Sequence, residues 1–267
     1  MKNIVITGAT SGIGKELVKL FSKNNRVFAG YRNENLIEPI DNVEYFYIDM
    51  TKKNSIIDAA NLIKKHTDKI DILINVAGCV VAGPVESIEM DKIREQFEVN
   101  TFSHLEFTQN LLPIMDNSKI INISSMASFG HFPFVSPYCA SKRAMDILFN
   151  ALAIENHKNI QVISIKPGVI VTPLWAKSVD KNADIINSSQ DYKKEMEFMK
   201  LNALKNQEKG LDVKKVARKI HNIANKKRAK TSYTIGSDAK FAQLLSYCSQ
   251  DFINKIVKFA LNFRVHH

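Results

Sequence analysis

Lys2-Asn3-Ile4-Val5-Ile6-Thr7, followed by Gly8-Ala9-Thr10-Ser11-Gly12-Ile13-Gly14, is the stretch that decides the fold. Ile4, Val5 and Ile6 run apolar without alternation, as a strand does when both of its faces are covered. The glycines then mark a tight turn, and Leu17, Leu20 and Phe21 recur at helical spacing after it. Strand, glycine turn and helix form the first half of a nucleotide-binding βαβ unit. Glycines let a backbone approach a pyrophosphate, and the helix N-terminus offers free N–H groups and a positive dipole end. Thr10, Ser11 and Ile13 can add donors from side chain or backbone. The spacing is G-x-x-x-G-x-G, not the commoner G-x-G-x-x-G.

Outward from this unit the alternation of strands and helices continues. Strands are predicted near 2–7, 26–31, 43–48, 70–75, 119–124, 160–165 and 232–235. Helical patterns fill the gaps, as in Asn54–His66, Thr101–Met115 and Ser136–His157. The fold class is therefore α/β: a single Rossmann-type, doubly wound, parallel seven-stranded sheet with helices on both faces. A chain of 267 residues with 45% hydrophobic and 24% charged content fits one such domain.

Tyr138-Cys139-Ala140-Ser141-Lys142 places a phenol and an ammonium one helical turn apart on one face. Alone, that is an ordinary surface pairing. A lysine so placed is expected to lower the phenol's pKa by favouring the phenolate. Upstream stand Ser124 and Ser125, and downstream Pro167-Gly168.

Taken together, these motifs resemble the short-chain dehydrogenase/reductase family, from about Lys2 to Thr172. The likeness rests on the Thr7–Gly14 turn, Asp49, Asn75-Val76-Ala77-Gly78, Asn100, Ser125, Tyr138, Lys142 and Pro167-Gly168 followed by Thr172. The resemblance implies a catalytic tetrad of Asn100, Ser125, Tyr138 and Lys142. Tyr138 would exchange a proton with the substrate oxygen. Lys142 would tune it and hold the nicotinamide ribose. The family's serine lies thirteen positions before the tyrosine, which selects Ser125 over Ser124. Asn100 would anchor a water beside Lys142. The resemblance further implies a cofactor site of Gly8, Thr10, Ser11, Gly12, Ile13, Gly14, Arg32, Asp49, Ala77, Gly78, Tyr138, Lys142, Pro167, Gly168, Ile170 and Thr172. One departure is visible: Val76 stands where the family has asparagine, with Asn75 one place earlier.

The cofactor type is read at the end of the second strand. An NAD site needs a carboxylate near the ribose 2′-hydroxyl there. Gly30, Tyr31 and Arg32 offer none, and Glu34 is the first acid. Arg32 would instead fork onto a 2′-phosphate, so NADP(H) is expected over NAD(H). Val27-Phe28-Ala29-Gly30 with Arg32, and a basic C-terminus, is similar to the steroid- and retinol-dehydrogenase-like branch.

Three parts are expected within the one domain, 1–267: a cofactor-binding and catalytic core at 1–172, a substrate lid at 173–205, and a basic helical extension at 206–267. Trp175, Ile185, Ile186, Tyr192, Met196, Phe198 and Met199 of the lid would face Phe129, Phe132 and Phe134 across a pocket for a hydrophobic ketone, aldehyde or secondary alcohol. The net charge of +10 is lopsided. Residues 1–200 carry 23 basic and 23 acidic side chains, and residues 201–267 carry 14 and 4. Lys226-Lys227-Arg228 with Lys230 is the densest run. Beyond it, Phe241, Leu244, Leu245, Cys248, Phe252, Ile256, Phe259, Ala260 and Phe263 recur at helical spacing. Together, across 226–263, they suit peripheral contact with an anionic membrane. The plain alternative is a solvated basic face beside a helix packed on protein.

No apolar run approaches eighteen residues, and the chain enters a strand at once, so neither a spanning helix nor a signal peptide is expected. Cys79, Cys139 and Cys248 are odd in number and scattered, which suits reduced thiols in a cytoplasm. The histidines show no metal spacing, and the basic residues no nucleic-acid reader motif. A homodimer or homotetramer is implied by the resemblance, through the helices of Thr101–Met115 and Ser136–His157. The rival function is a cofactor-binding regulatory or membrane-associated protein with little turnover.

Overall fold

The computed structural model describes residues 1–188 and 190–266, excluding the side chains of 175, 180, 181, 186–190, 206, 207 and 262–267. Seven strands form one sheet: β1 (Asn3–Ile6), β2 (Arg26–Tyr31), β3 (Val43–Tyr47), β4 (Ile72–Asn75), β5 (Lys119–Ile123), β6 (Gln161–Pro167) and β7 (Ser232–Ile235). Their order is β3-β2-β1-β4-β5-β6-β7, and every pair is parallel. The order reverses between β1 and β4. The crevice outside the carboxyl ends of those two strands is where such a sheet takes a ligand.

The unbroken apolar strands follow from cover on both faces. Ile4 and Ile6 point to one layer, with Leu17, Val18 and Phe21 of α1 (Gly12–Phe21). Val216 and Ile220 of α9 (Val213–Ala224) complete that layer. Val5 points to the opposite layer, with Ile56 and Ile63 of α2 (Lys53–His66). Phe107 of α4 (Ser103–Leu111) and Phe149 of α5 (Ser136–Glu155) close it. Successive strand residues thus feed two cores, and alternation disappears from the sequence.

The predicted helix at Thr101–Met115 is not one regular piece. After α3 (Met90–Phe97), a π-helical turn covers Glu98–Phe102, α4 follows, and a 3₁₀ turn covers Leu112–Ile114. Pro113 has no N–H to give an α-helical bond, so the regular helix stops before it. The remaining helices are α6 (Leu174–Lys181), α7 (Ala183–Ser188), α8 (Lys193–Lys209), α10 (Ser237–Leu245) and α11 (Gln250–His266).

The basic run and the aromatic segment, read together in the sequence, part company in space. Lys226–Lys230 lead into the amino end of β7, whereas α10 leaves its carboxyl end. Lys119 Nζ fixes the first of these, donating to the carbonyls of Ala224 (2.7 Å) and Lys226.

Candidate active site

The glycine turn is built so that no side chain fits. Gly8 adopts φ +61°, and a Cβ there would press to 3.0 Å on the Ala77 backbone. A Cβ on Gly14 would stand 2.2 Å from the Gly8 carbonyl oxygen. Ser11 precedes α1 in extended conformation, and its side chain makes no capping bond. With no acid in the first turn, the opening N–H groups of α1 have no carboxylate to neutralise them. Thr7 Oγ1 accepts from Val76 N (2.9 Å) and Ala77 N (3.3 Å), which pins 76–78 beside the turn. Thr172 Cγ2 comes within 3.3 Å of where a Gly12 Cβ would lie. Three loops, after β1, β4 and β6, therefore meet at one cradle. A dinucleotide fits this donor set, because the cradle is bare backbone at a helix N-terminus. Ile13 and Ile170 point into the core, so only their backbones can reach a ligand.

Beyond β2, Arg32 is exposed. Asp49, near it, is buried. Burial works to raise its pKa, but the Thr51 N–H and O–H and the Arg32 and Lys52 charges overcome this and hold it below the usual value. Asp49 Oδ1 accepts from Thr51 N (3.0 Å) and Thr51 Oγ1 (2.8 Å). Asn75 is turned away from the cradle. It is fully buried and donates to Asn122 Oδ1 (2.8 Å).

At the carboxyl ends of β4 and β5 the predicted tetrad converges. The Ser125 hydroxyl stands close enough to the Tyr138 phenol to favour its ionised form, and Ser125 Oγ accepts from Ala127 N (3.1 Å). Ser124 is buried, its hydroxyl makes no hydrogen bond among the described residues, and its N–H donates to Ile165 O (2.9 Å). Lys142 Nζ donates to Ile123 O (2.9 Å) and lies 3.5 Å from where a Gly78 Cβ would be. Asn100, inside the π-helical turn, caps no helix. Its Nδ2 donates to Cys79 O and Ser141 Oγ (both 3.0 Å), and its Oδ1 accepts from Cys79 N (2.9 Å). It clamps the segment after β4 onto α5, in a type of turn that recurs at functional sites.

The electrostatics differ from the sequence expectation. Burial pushes the Tyr138 phenol up to about 12, against the lowering effect of the neighbouring Ser125 hydroxyl. Burial also brings Lys142 down to about 8, opposed by the Asp146 charge. Withdrawal from water thus sets the phenol's acidity, and the lowering expected from the ammonium does not appear. At neutral pH the phenol keeps its proton.

Four residues that the motifs did not flag complete the surroundings. His104, one turn after Asn100, is fully buried, and its Nε2 meets Ala77 O at 2.8 Å. A carbonyl only accepts, so Nε2 carries the hydrogen and Nδ1 is bare. Burial, with Lys142 nearby, lowers His104 to about 4. Asp146 and Lys166 form a buried ion pair (3.0 Å) that joins α5 to the end of β6. Ser164 Oγ donates to Asp146, and Lys166 Nζ sits 4.7 Å from the Phe129 ring centre. Asp238 of α10 accepts from Val169 N (2.8 Å) and packs so closely that a Cβ on Gly168 would lie 2.0 Å from it. An i,i+4 pattern from Asn100 to His104 and from Lys142 to Asp146 was the available signal for two of them.

The walls beside Tyr138 are apolar. Phe132, Val135 and Leu174 pack against Val80 and Cys139 around it. Tyr192 meets Phe134 edge to face at 5.9 Å, and its hydroxyl donates to Glu86 (2.8 Å). Ile185 and Met196 are buried, Ile185 against Val81 and Ile88. Trp175 and Ile186 have side chains outside the described set. Asn182 fastens α6 and α7 to the core: its Oδ1 accepts from Ala82 N and its Nδ2 donates to Val80 O, both at 3.1 Å.

A family profile described as short chain dehydrogenase matches residues 2–183. The chain belongs to the short-chain dehydrogenase family. This dehydrogenase is 34% identical over 244 residues to the "Probable short-chain type dehydrogenase/reductase VdlC" of Helicobacter pylori, covering 87% of each chain. It is 31% identical over 200 residues to the "NADPH-dependent 3-dehydrocapnine reductase" of Ornithobacterium rhinotracheale, covering 67% of this chain and 69% of that protein. A short chain dehydrogenase from Burkholderia cenocepacia, solved in complex with NADP, superposes with a TM-score of 0.74 at 20% identity, over 96% of this chain and 99% of that one. The chain is thus an oxidoreductase that works on CH–OH or carbonyl groups with a nicotinamide cofactor.

Proposed function

We propose that this enzyme uses NADPH to reduce a hydrophobic ketone or aldehyde, with Tyr138 as the proton donor. The observation that carries it is the buried phenol, beside Ser125 and held protonated at neutral pH among apolar walls. A phenol kept neutral is poised to give a proton, which is the need of reduction, while alcohol oxidation requires it to accept one.

The nicotinamide cofactor supplies the hydride when bound. The loops at Gly8–Gly14, Ala77-Gly78 and Pro167–Thr172 would hold it, with Asp49 at the adenine end. Arg32 would fork onto the 2′-phosphate, with the first carboxylate after β2 only at Glu34. An NADPH-dependent relative and an NADP-bound structural neighbour support that choice. Ser125 would bond the substrate oxygen and orient it toward the phenol. The Tyr138 O–H proton then passes to that oxygen, and the Lys142 ammonium offsets the charge left on the phenolate. Asn100 keeps the Cys79 backbone and α5 in register for this.

Residues 173–205 serve as the substrate lid, with Phe134 and Tyr192 meeting across the pocket. Phe102, Ile147 and Ile154 are exposed on the outer side of the Glu98–Phe102 turn and α5, which supports assembly into a dimer or tetramer. We place the enzyme in the cytoplasm or at a membrane facing it.

The test is NADPH and NADH oxidation against a panel of hydrophobic ketones and aldehydes, beside Tyr138→Phe. Turnover that prefers NADPH, and falls by ~10²–10⁴-fold in the variant with NADPH binding retained, is expected. Tight NADPH binding with no turnover on any carbonyl would turn the reading to a cofactor-binding regulator.

A further inference from the structure

α10, the turn after it and the start of α11 carry an apolar surface that the reaction does not use. Phe241 is 62% exposed, Leu244 66%, Tyr247 78% and Phe252 50%. Phe241 and Leu244 share one side of α10, three residues apart. Tyr247 extends the patch through the turn and Phe252 opens α11. Lys240, Lys255 and Lys258 are exposed among them, against the single exposed acid Asp251. Asp238, the other acid of the region, is engaged inward on Val169 N.

The location is specific. α10 starts at the carboxyl end of β7, the end of the sheet that bears Ser125 and Tyr138. α11 is tied to the loop between those two residues. His131 Nε2 meets Asn254 Oδ1 at 2.8 Å, and Gln250 Nε2 lies 3.1 Å from both ring nitrogens of His131.

We infer that this elbow, Phe241 to Lys258, docks the enzyme on an anionic lipid surface, with Phe241, Leu244, Tyr247 and Phe252 entering the headgroup region and Lys240, Lys255 and Lys258 pairing with lipid phosphates. Charge decides between occupants. A second copy would bring the same lysines face to face, whereas an anionic bilayer takes both the aromatic and the cationic side chains. No helix among the described residues is long and apolar enough to cross a membrane, so the contact is interfacial. The Lys226–Lys230 run, at the other end of β7, takes no part. Docking requires no turnover and stands apart from the oxidoreductase assignment.

The experiment is cosedimentation of the full chain with phosphatidylglycerol-containing and pure phosphatidylcholine vesicles, at low and high salt. Binding to the anionic vesicles alone, weakened by salt, is expected. Leu244→Ser with Phe252→Ser should weaken it by about tenfold per side chain. Lys255→Ser with Lys258→Ser should weaken it by about thirtyfold for the pair, near fivefold for each cation. Replacing Lys226, Lys227 and Arg228 by serine should change little. A polarity-sensitive dye on the exposed Cys248 of the unsubstituted chain should shift to the blue on anionic vesicles. No binding at low salt would overturn the proposal. So would binding lost only in the Lys226–Arg228 variant, or a larger oligomer broken by Leu244→Ser and Phe252→Ser without vesicle binding.

Discussion

Arg32, Tyr138 and His104 show how differently single residues can be read. Tyr138, Ser125 and Lys142 could be named because together with the other motifs they resemble a family pattern, and the structure sets the Ser125 hydroxyl beside the phenol. The phenol's acidity was not legible, since it depends on burial that no spacing records. His104 was missed for the same reason: a lone histidine on a helix gives no sign of being sealed from water. Its pKa is lowered from 6.5 to about 4. Between those values the unfolded chain binds a proton that the folded chain refuses, so stability falls as the pH drops through that window. The loss is on the order of 3 kcal/mol. Urea unfolding at stepped pH should show it, and His104→Gln, which keeps a donor for Ala77 O, should flatten the acid limb. Identical slopes in both proteins would refute the assignment. Arg32→Ala should weaken NADPH by about tenfold and leave NADH nearly unchanged, since one charge-assisted bond to phosphate is at stake. Equal weakening of both cofactors by fluorescence titration would count against it.

Elements were legible where burial is two-sided. Six of the seven strands lie within the predicted stretches and β6 runs two residues past its own, to Pro167, because an unbroken apolar run bounded by polar turns leaves few alternatives. The π-helical turn at Glu98–Phe102 was not, since one wide turn leaves no repeat to detect. Nor was the tie between α5 and β6 through Asp146 and Lys166. Both ends of that pair are out of water, so removing one strands a charge. Lys166→Met should cost about 3 kcal/mol, and adding Asp146→Leu should return much of it. Denaturant midpoints of the two variants measure this directly. A single variant as stable as the parent would mean that solvent reaches the pair.

At the scale of the whole molecule, the sequence could place the excess charge in residues 201–267 but not distribute it. The path of β7 does that, sending the basic run and the aromatic elbow to opposite ends. The same global arrangement bears on speed. Asn182 grips both Val80 and Ala82 by one side-chain amide, so α6 and α7 cannot swing from the pocket without breaking two hydrogen bonds at once. With residues 173–205 as the lid proposed above, we expect departure of the product, rather than transfer of hydrogen to carbon, to be the slow event of the catalytic cycle. Deuterium at the transferred position of NADPH should leave steady-state turnover unchanged in the parent enzyme. In Asn182→Ala, where the amide grip is gone, turnover should quicken and the isotope effect should emerge.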